Sequence, residues 1–129
     1  MVSIDTNIIV RFLTHDDKIQ FKKAYSIFSK HNIFIPDTVI LETEWVLRYA
    51  YQFQPVTICN AFIKLFGLKN VHLSNPNLIA KVIDWYKKGL DFSDAFHLAN
   101  SQQCQQLFTF DTKFIKAARV LSKCTVKKP

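Results

Sequence analysis

The segment Val-Ser-Ile-Asp-Thr-Asn-Ile-Ile-Val-Arg-Phe-Leu, residues 2–13, joins a short apolar run to a helical pattern. Val2–Ile4 predicts a buried strand and Asn7–Leu13 predicts a helix, with Asp5 at the junction between them. The same alternation of short apolar runs and helical patterns continues through the 129 residues. It predicts an α/β fold of three α/β/α layers, in which helices cover both faces of a short central parallel sheet of four to five strands.

Proline, glycine and capping residues delimit the predicted elements. The strands are expected at Val2–Ile4, Asn32–Ile35, Val71–Leu73, Leu107–Phe110 and Cys124–Val126. The helices are expected at Asn7–Leu13, Asp17–Lys30, Asp37–Tyr51, Pro55–Gly67, Pro76–Gly89, Asp91–Gln103 and Asp111–Leu121. No repeat, low-complexity stretch or linker interrupts the pattern, so we expect residues 1–129 to form a single domain.

The composition is that of a globular protein with a basic balance of charge. Apolar residues make up 49% of the chain and charged residues 21%, and 17 Lys and Arg against 10 Asp and Glu give a net charge of +7. This charge favours a nucleic acid or another anionic partner over a cationic one. Three cysteines without a Cys-x-x-Cys pair do not form a disulfide framework or a zinc knuckle. Without a membrane span or a signal-peptide pattern, a cytoplasmic protein that does not bind membranes is expected.

Five of the ten acidic residues have ordinary structural explanations. They are Asp16, Asp17, Asp37, Glu44 and Asp84. The first three lie at predicted helix starts, where a carboxylate caps the helix. The other two have a lysine or arginine four residues later, which predicts a surface ion pair. None of the five needs a functional explanation.

The other five are Asp5, Glu42, Asp91, Asp94 and Asp111, and four of them lie where helices begin. Asp5 and Asp111 each follow a strand, at the end of the sheet where α/β folds place their sites. Asp94 lies one turn inside its helix and can project toward the same end. Asp91, three residues earlier, is explained at least as well by capping.

Glu42 lies within a helix, on the same face as Thr38, Trp45 and Tyr49. A carboxylate on such an aromatic face is costly to bury unless a cation or hydrogen bonds compensate it. Carboxylates brought together also repel one another, and a hard divalent cation removes that penalty. Oxygen ligands alone indicate Mg²⁺, with Mn²⁺ as a substitute, whereas the four histidines lack the spacing of zinc ligands.

Four short motifs in order resemble a known family. They are Asp-Thr-Asn at 5–7, Glu-Thr-Glu-Trp-Val-Leu at 42–47, Asp-Phe-Ser-Asp at 91–94 and Thr-Phe-Asp at 109–111. Together they resemble the PIN domain, and more narrowly the VapC toxins of bacterial VapBC toxin–antitoxin pairs, over the whole chain. The resemblance implies a metal-dependent endoribonuclease of a type II toxin–antitoxin pair. It also implies a VapB-like antitoxin as partner, and a homodimer or a toxin–antitoxin hetero-oligomer.

The resemblance also implies roles for individual residues. The catalytic, metal-binding quartet would be Asp5, Glu42, Asp94 and Asp111. Residues expected to support the carboxylates or a water molecule are Asn7, Thr6, Asp91, Ser93 and Thr109. For contacts with RNA phosphates, the helical spacing favours Lys113, Lys116 and Arg119 after Asp111, and Arg11 after Asp5.

Two other functions remain open at this stage. The first is another Mg²⁺-dependent phosphoryl hydrolase of the phosphatase type, which usually needs a second acid where this chain has Asn7. The second is an RNA-binding domain without catalytic activity, which would keep the basic surface but would not need Glu42 on its helix face.

Overall fold

The computed structural model describes all 129 residues, as seven helices and five short strands. In chain order these are β1 (Val2–Ser3), α1 (Thr6–Thr14), α2 (Lys18–Lys30), β2 (Ile33–Ile35), α3 (Asp37–Tyr49), α4 (Pro55–Phe66), β3 (Val71–Leu73), α5 (Pro76–Lys87), α6 (Phe92–Ala99), β4 (Gln106–Phe108), α7 (Thr112–Ala118) and β5 (Thr125–Lys127). Each predicted helix and strand has its counterpart, which confirms the α/β fold class.

The chain divides into two compact units, unit 1 (Met1–Ser74) and unit 2 (Asn75–Pro129). In unit 1 the strands pair in parallel in the order β1-β2-β3, and in unit 2 β4 pairs in parallel with β5. Parallel pairing is confirmed, but the strands form sheets of three and two rather than the expected sheet of four to five. Strands of two or three residues present few backbone groups for pairing, so hydrophobic pattern alone does not specify how many join one sheet.

The core of unit 1 surrounds β2, whose Ile33 and Ile35 are fully buried. Helices α1, α3 and α4 bury aliphatic and aromatic side chains, among them Ile9, Val10, Ile40, Leu47, Ile58 and Phe62. Helix α1 begins just after β1 and α3 just after β2. Because these two strands are parallel neighbours, the first turns of α1 and α3 lie at the same end of the sheet.

In unit 2, α6 packs against α5, where the Phe92 ring contacts the Tyr86 ring, and α6 also buries Ala95 and Leu98. The helix ends at Ala99, four residues before the expected end. The side chains of the next three residues, Asn100, Ser101 and Gln102, donate hydrogen bonds to the carbonyl groups of Phe96, His97 and Leu98. These local bonds satisfy the carbonyls of the last turn and compete with further helix.

Two of the predicted helix caps have different outcomes. Asp17 caps α2 as expected, because its Oδ1 accepts a hydrogen bond from the Gln20 N–H at 2.9 Å. The prediction for Asp37 is wrong: Pro36 occupies the N-cap position of α3, and Asp37 is the first helical residue. Its buried Oδ1 accepts no hydrogen bond, although the charge is favourable near a helix N-terminus.

The predicted surface pair of Glu44 and Arg48 is instead largely buried. Glu44 is only 2% exposed, and it accepts a hydrogen bond from Arg48 Nε at 2.7 Å. This bond to a carboxylate raises the pKa of Arg48 above its ordinary value. Helical spacing predicted the partner correctly but not the side of the helix on which the pair lies.

Candidate functional site

Asp5 lies at the junction of β1 and α1 and is exposed. It is the N-cap of α1, and its Oδ1 accepts a hydrogen bond from the Ile8 N–H at 3.4 Å. The capping explanation therefore holds for Asp5, although the bond is long for an N–H···O contact. Asn7, predicted to support the site, is exposed in the first turn of the same helix.

Glu42 receives a hydrogen bond from Thr6, the residue next to Asp5. The Thr6 hydroxyl donates to Glu42 Oε1 and joins the start of α1 to the middle of α3. Thr6 is buried, which restricts the position of its hydroxyl, whereas Glu42 is exposed. Because a buried donor fixes the carboxylate, Glu42 does not sample the surface as a freely rotating side chain would.

The helix face that carries Glu42 points to solvent. Trp45 and Tyr49 on this face are 56% and 58% exposed, and their ring centroids are 5.0 Å apart. The side that α3 buries carries Ile40 and Leu47 instead. The aromatic face of α3 therefore lies at the surface, and the exposed Glu42 has no burial penalty to offset.

Asp91 and Asp94 lie at the start of α6. Asp91 is the N-cap, and its Oδ2 accepts hydrogen bonds from the Asp94 N–H at 3.3 Å and from the Ser93 hydroxyl at 2.6 Å. The capping explanation of Asp91 is confirmed. Ser93 also holds the Asp91 carboxylate in place, which leaves Asp94 as the acid in the first turn of α6.

Asp111 has the same position at the start of α7. Its Oδ1 accepts hydrogen bonds from the N–H groups of Lys113 at 2.9 Å and Phe114 at 3.2 Å. Its own N–H donates to Thr109 Oγ1 at 3.1 Å. Backbone and side chain of Asp111 are thus both held, and the carboxylate is fixed at an exposed position.

The acids of unit 2 influence one another electrostatically. Partial burial raises the pKa of Asp94, and the negative charges of Asp91 and Asp111 raise it further. The positive charge of His97 acts in the opposite direction. Since such effects weaken with distance, Asp91 and Asp111 are both near enough to Asp94 to disfavour its charged form.

The basic residues expected to contact RNA differ in their surroundings. Arg11 pairs with Asp16 at 2.9 Å and donates a hydrogen bond to the Tyr51 hydroxyl at 3.1 Å. This network gives Arg11 a structural explanation that spacing did not predict. By contrast, the side chains of Lys113, Lys116 and Arg119 are exposed along and just after α7.

These observations agree with the comparison against known families. The PIN domain matches residues 2–120, so the chain belongs to the PIN domain family. No curated protein matches the sequence. PIN domains are generally nucleases, and they usually bind a divalent metal ion. None of the seven helices combines the length and apolar character needed to cross a membrane.

The donor chemistry in unit 2 suits such an ion. Asp91, Asp94 and Asp111 offer only oxygen ligands. Burial raises the pKa of Asp94, and the repulsion from Asp91 and Asp111, which raises it further, is the kind that a divalent cation relieves. Within neither unit do three or more His, Cys, Asp or Glu side chains gather closely enough to hold an ion. The residues therefore fit Mg²⁺ or Mn²⁺ in ligand type.

Proposed function

We propose that the chain is a metal-dependent endoribonuclease that acts as the toxin of a type II toxin–antitoxin pair. The main support is the family: the chain belongs to the PIN domain family, whose members are generally nucleases, and Asp91, Asp94 and Asp111 lie where α6 and α7 begin. Burial raises the pKa of Asp94, and the negative charges of Asp91 and Asp111 raise it further. A carboxylate among like charges is a common feature of sites that bind cations or carry out acid–base chemistry.

The proposed catalytic and metal-binding residues are Asp5, Glu42, Asp94 and Asp111. The proposed supporting residues are Asn7, Thr6, Asp91, Ser93 and Thr109. Their hydrogen bonds suggest what two of them do: the Thr6 hydroxyl orients Glu42, and the Ser93 hydroxyl orients Asp91. When bound, Mg²⁺ or Mn²⁺ supplies a nucleophilic water at neutral pH and charge relief on the scissile phosphate.

The remaining parts of the mechanism fall to the protein. Asp5, Asp91 and Asp111 cap helices and are therefore fixed before substrate binds, which limits reorganisation during the reaction. Exposed cations, among them Lys113 and Lys116, would bind the RNA phosphates on either side of the cleaved bond. Attack by water does not need the 2′-hydroxyl, so we expect products with 5′-phosphate and 3′-hydroxyl ends.

The nuclease proposal is tested by cleavage of end-labelled RNA by the purified chain. Cleavage is expected with Mg²⁺ and not with EDTA, and it should be lost in Asp5→Ala and in Asp94→Ala. Asp84→Ala is the matched control, because Asp84 forms an exposed pair with Lys88 at 3.0 Å and has no proposed role. Activity that survives EDTA and both substitutions would exclude the metal-dependent mechanism.

The toxin role has a separate test. We propose a cytoplasmic protein of one domain, residues 1–129, which forms a homodimer or a hetero-oligomer with a VapB-like antitoxin. Expression should arrest growth, and co-expression of the adjacent open reading frame should relieve the arrest. Growth that continues at full rate while the active nuclease accumulates would refute the toxin role but not the nuclease.

A second candidate is an RNA-binding domain without catalytic activity. It is favoured by the observation that neither unit gathers three potential metal ligands. Such a protein would bind RNA equally well in Mg²⁺ and in EDTA, and it would leave the RNA intact. The same cleavage assay therefore decides between the two candidates.

A further inference from the structure

Two aromatic side chains on either side of Thr109 are exposed next to a proposed catalytic acid. Phe108, the last residue of β4, is 57% exposed, and Phe110, which precedes Asp111, is 81% exposed. The Thr109 N–H donates to the Lys127 carbonyl at 3.0 Å, so the extended pairing continues past β4. Exposure alternates along this segment: Phe108 and Phe110 are exposed, whereas Leu107 and Thr109 are partly buried.

The surroundings of these rings are positively charged. Lys127 pairs with Phe108 across β4 and β5, and its ammonium group lies 6.0 Å from the centroid of the Phe108 ring. After Asp111 the sequence contains six basic residues and no acidic one. The six are Lys113, Lys116, Arg119, Lys123, Lys127 and Lys128, and all are exposed.

We infer that Phe108 and Phe110 form a base-stacking platform for single-stranded RNA. This inference rests on the proposed ribonuclease function and adds to it the residues that hold the nucleotides beside Asp111. Proteins that bind single strands combine aromatic rings, on which bases stack, with cations that follow the backbone phosphates. Unit 2 has both features on the segment from β4 to β5.

The positive charge around Phe108 and Phe110 favours RNA over a second copy of the chain as the binding partner. A second copy of a chain with a net charge of +7 would bring like charges together at the six cations. RNA offers the opposite charge for the cations and flat π-faces for the rings. The position of Phe110 directly before Asp111 also means that a base stacked on it would carry its phosphate close to the proposed site.

The test measures binding of a short fluorescein-labelled single-stranded RNA of mixed sequence to the full chain, by fluorescence anisotropy in EDTA, so that no cleavage occurs. Phe110→Ala should weaken binding about tenfold, and Phe108→Ala by a similar factor, as expected for the loss of one stacked base. Phe110→Tyr should bind nearly as the wild type does. Tyr25→Ala is the matched control, because Tyr25 on α2 is 56% exposed and lies outside unit 2.

Salt dependence separates stacking from phosphate binding. Phe110→Ala should leave the slope of log K against log salt concentration unchanged, because the phenyl ring binds no phosphate. Lys127→Gln should reduce the magnitude of that slope by about 0.7, the value for one phosphate contact on a single strand. Urea unfolding of each variant confirms that the fold is kept.

The possible results are distinguishable. Equal affinity of wild type, Phe108→Ala and Phe110→Ala would overturn the platform, while cleavage by the wild type would leave the ribonuclease intact. Loss of affinity in the phenylalanine variants without any cleavage by the wild type would support the platform and refute the ribonuclease. Unchanged RNA affinity with a shift of sedimentation toward monomer would assign the rings to an interface between copies instead.

Discussion

The hydrogen bond from Thr6 to Glu42 provides a quantitative test of the proposed role of Glu42. Thr6→Val removes the hydroxyl and keeps the shape of the side chain, so no cavity forms. Hydrogen bonds to charged groups contribute about 1.5–3 kcal/mol. Glu42 is exposed, which places this bond at the lower end, at about 1.5 kcal/mol. For a chain of this size that corresponds to a decrease in melting temperature of about 5 °C.

The assay is urea unfolding of wild type, Thr6→Val, Glu42→Gln and the double variant. A coupling free energy of about 1 kcal/mol or more is expected, because the two side chains are direct partners. Thr57→Val is the control, since Thr57 is an exposed threonine in the first turn of α4 and should cost less than about 0.5 kcal/mol.

The same variants connect this bond to activity. Loss of a residue that orients a metal ligand typically reduces activity or metal affinity about 10–100-fold, so Thr6→Val should slow RNA cleavage to that extent. Additive single and double variants, with unchanged cleavage by Thr6→Val, would refute the reasoning that Thr6 positions Glu42.

Three further predictions follow from the structure. The Tyr51 hydroxyl is the main cause of the lowered pKa of Asp16, so Tyr51→Phe should raise that pKa, as measured by NMR titration. A lowered folded-state pKa stabilises the protein above the unfolded pKa of about 4, and this contribution disappears as the pH falls through the folded value. The difference in unfolding free energy between wild type and Tyr51→Phe should therefore be largest near neutral pH and shrink in acid. On α3, Leu47→Ala should lower the free energy of unfolding by about 2–5 kcal/mol because Leu47 is fully buried, whereas Trp45→Ala should lower it by less than about 1 kcal/mol. Equal losses in urea unfolding would mean that the exposed face of α3 is assigned wrongly. Finally, Mg²⁺ at ten times its dissociation constant should raise the free energy of unfolding of the wild type by about 1.4 kcal/mol, and that of Asp94→Asn much less, as measured by urea unfolding. Identical stabilisation of both proteins would argue against Asp94 as a ligand.

The order of helices and strands could be predicted because local chemistry specifies it. Pro55 and Pro76 lie in the first turns of α4 and α5, and Asp17, Asp91 and Asp111 cap α2, α6 and α7. These residues act on the adjacent backbone, so their effect can be predicted from the sequence without knowledge of the tertiary structure.

The faces of α3 could not be predicted in the same way. Helical periodicity groups Glu42 with Trp45 and Tyr49, but it does not say which group packs inward. Both sides of α3 carry apolar residues. In the structure Leu47 and Glu44 are buried, whereas the larger Trp45 is exposed. That choice depends on residues distant in sequence, as do the Thr6–Glu42 bond and the number of strands in each sheet.

The candidate site could be predicted only in part from the sequence, for the same reason. The sequence identified the acids at helix starts, and the structure assigns capping bonds to Asp5, Asp91 and Asp111. A cap and a metal ligand have the same sequence signature, a carboxylate before a helix, so sequence alone cannot separate the two roles. The electrostatic coupling of Asp94 to its neighbours is the added observation.

Cleavage of 5′-labelled single-stranded RNA during a Mg²⁺ titration tests the proposed metal-dependent site most directly. The wild type should cleave with a rate that rises with Mg²⁺ and saturates, and it should leave 5′-phosphate ends. Asp94→Asn should be slower by at least about 100-fold, because a direct ligand matters more than a residue that orients one. Cleavage independent of Mg²⁺, or equal rates for wild type and Asp94→Asn, would contradict the metal-dependent ribonuclease.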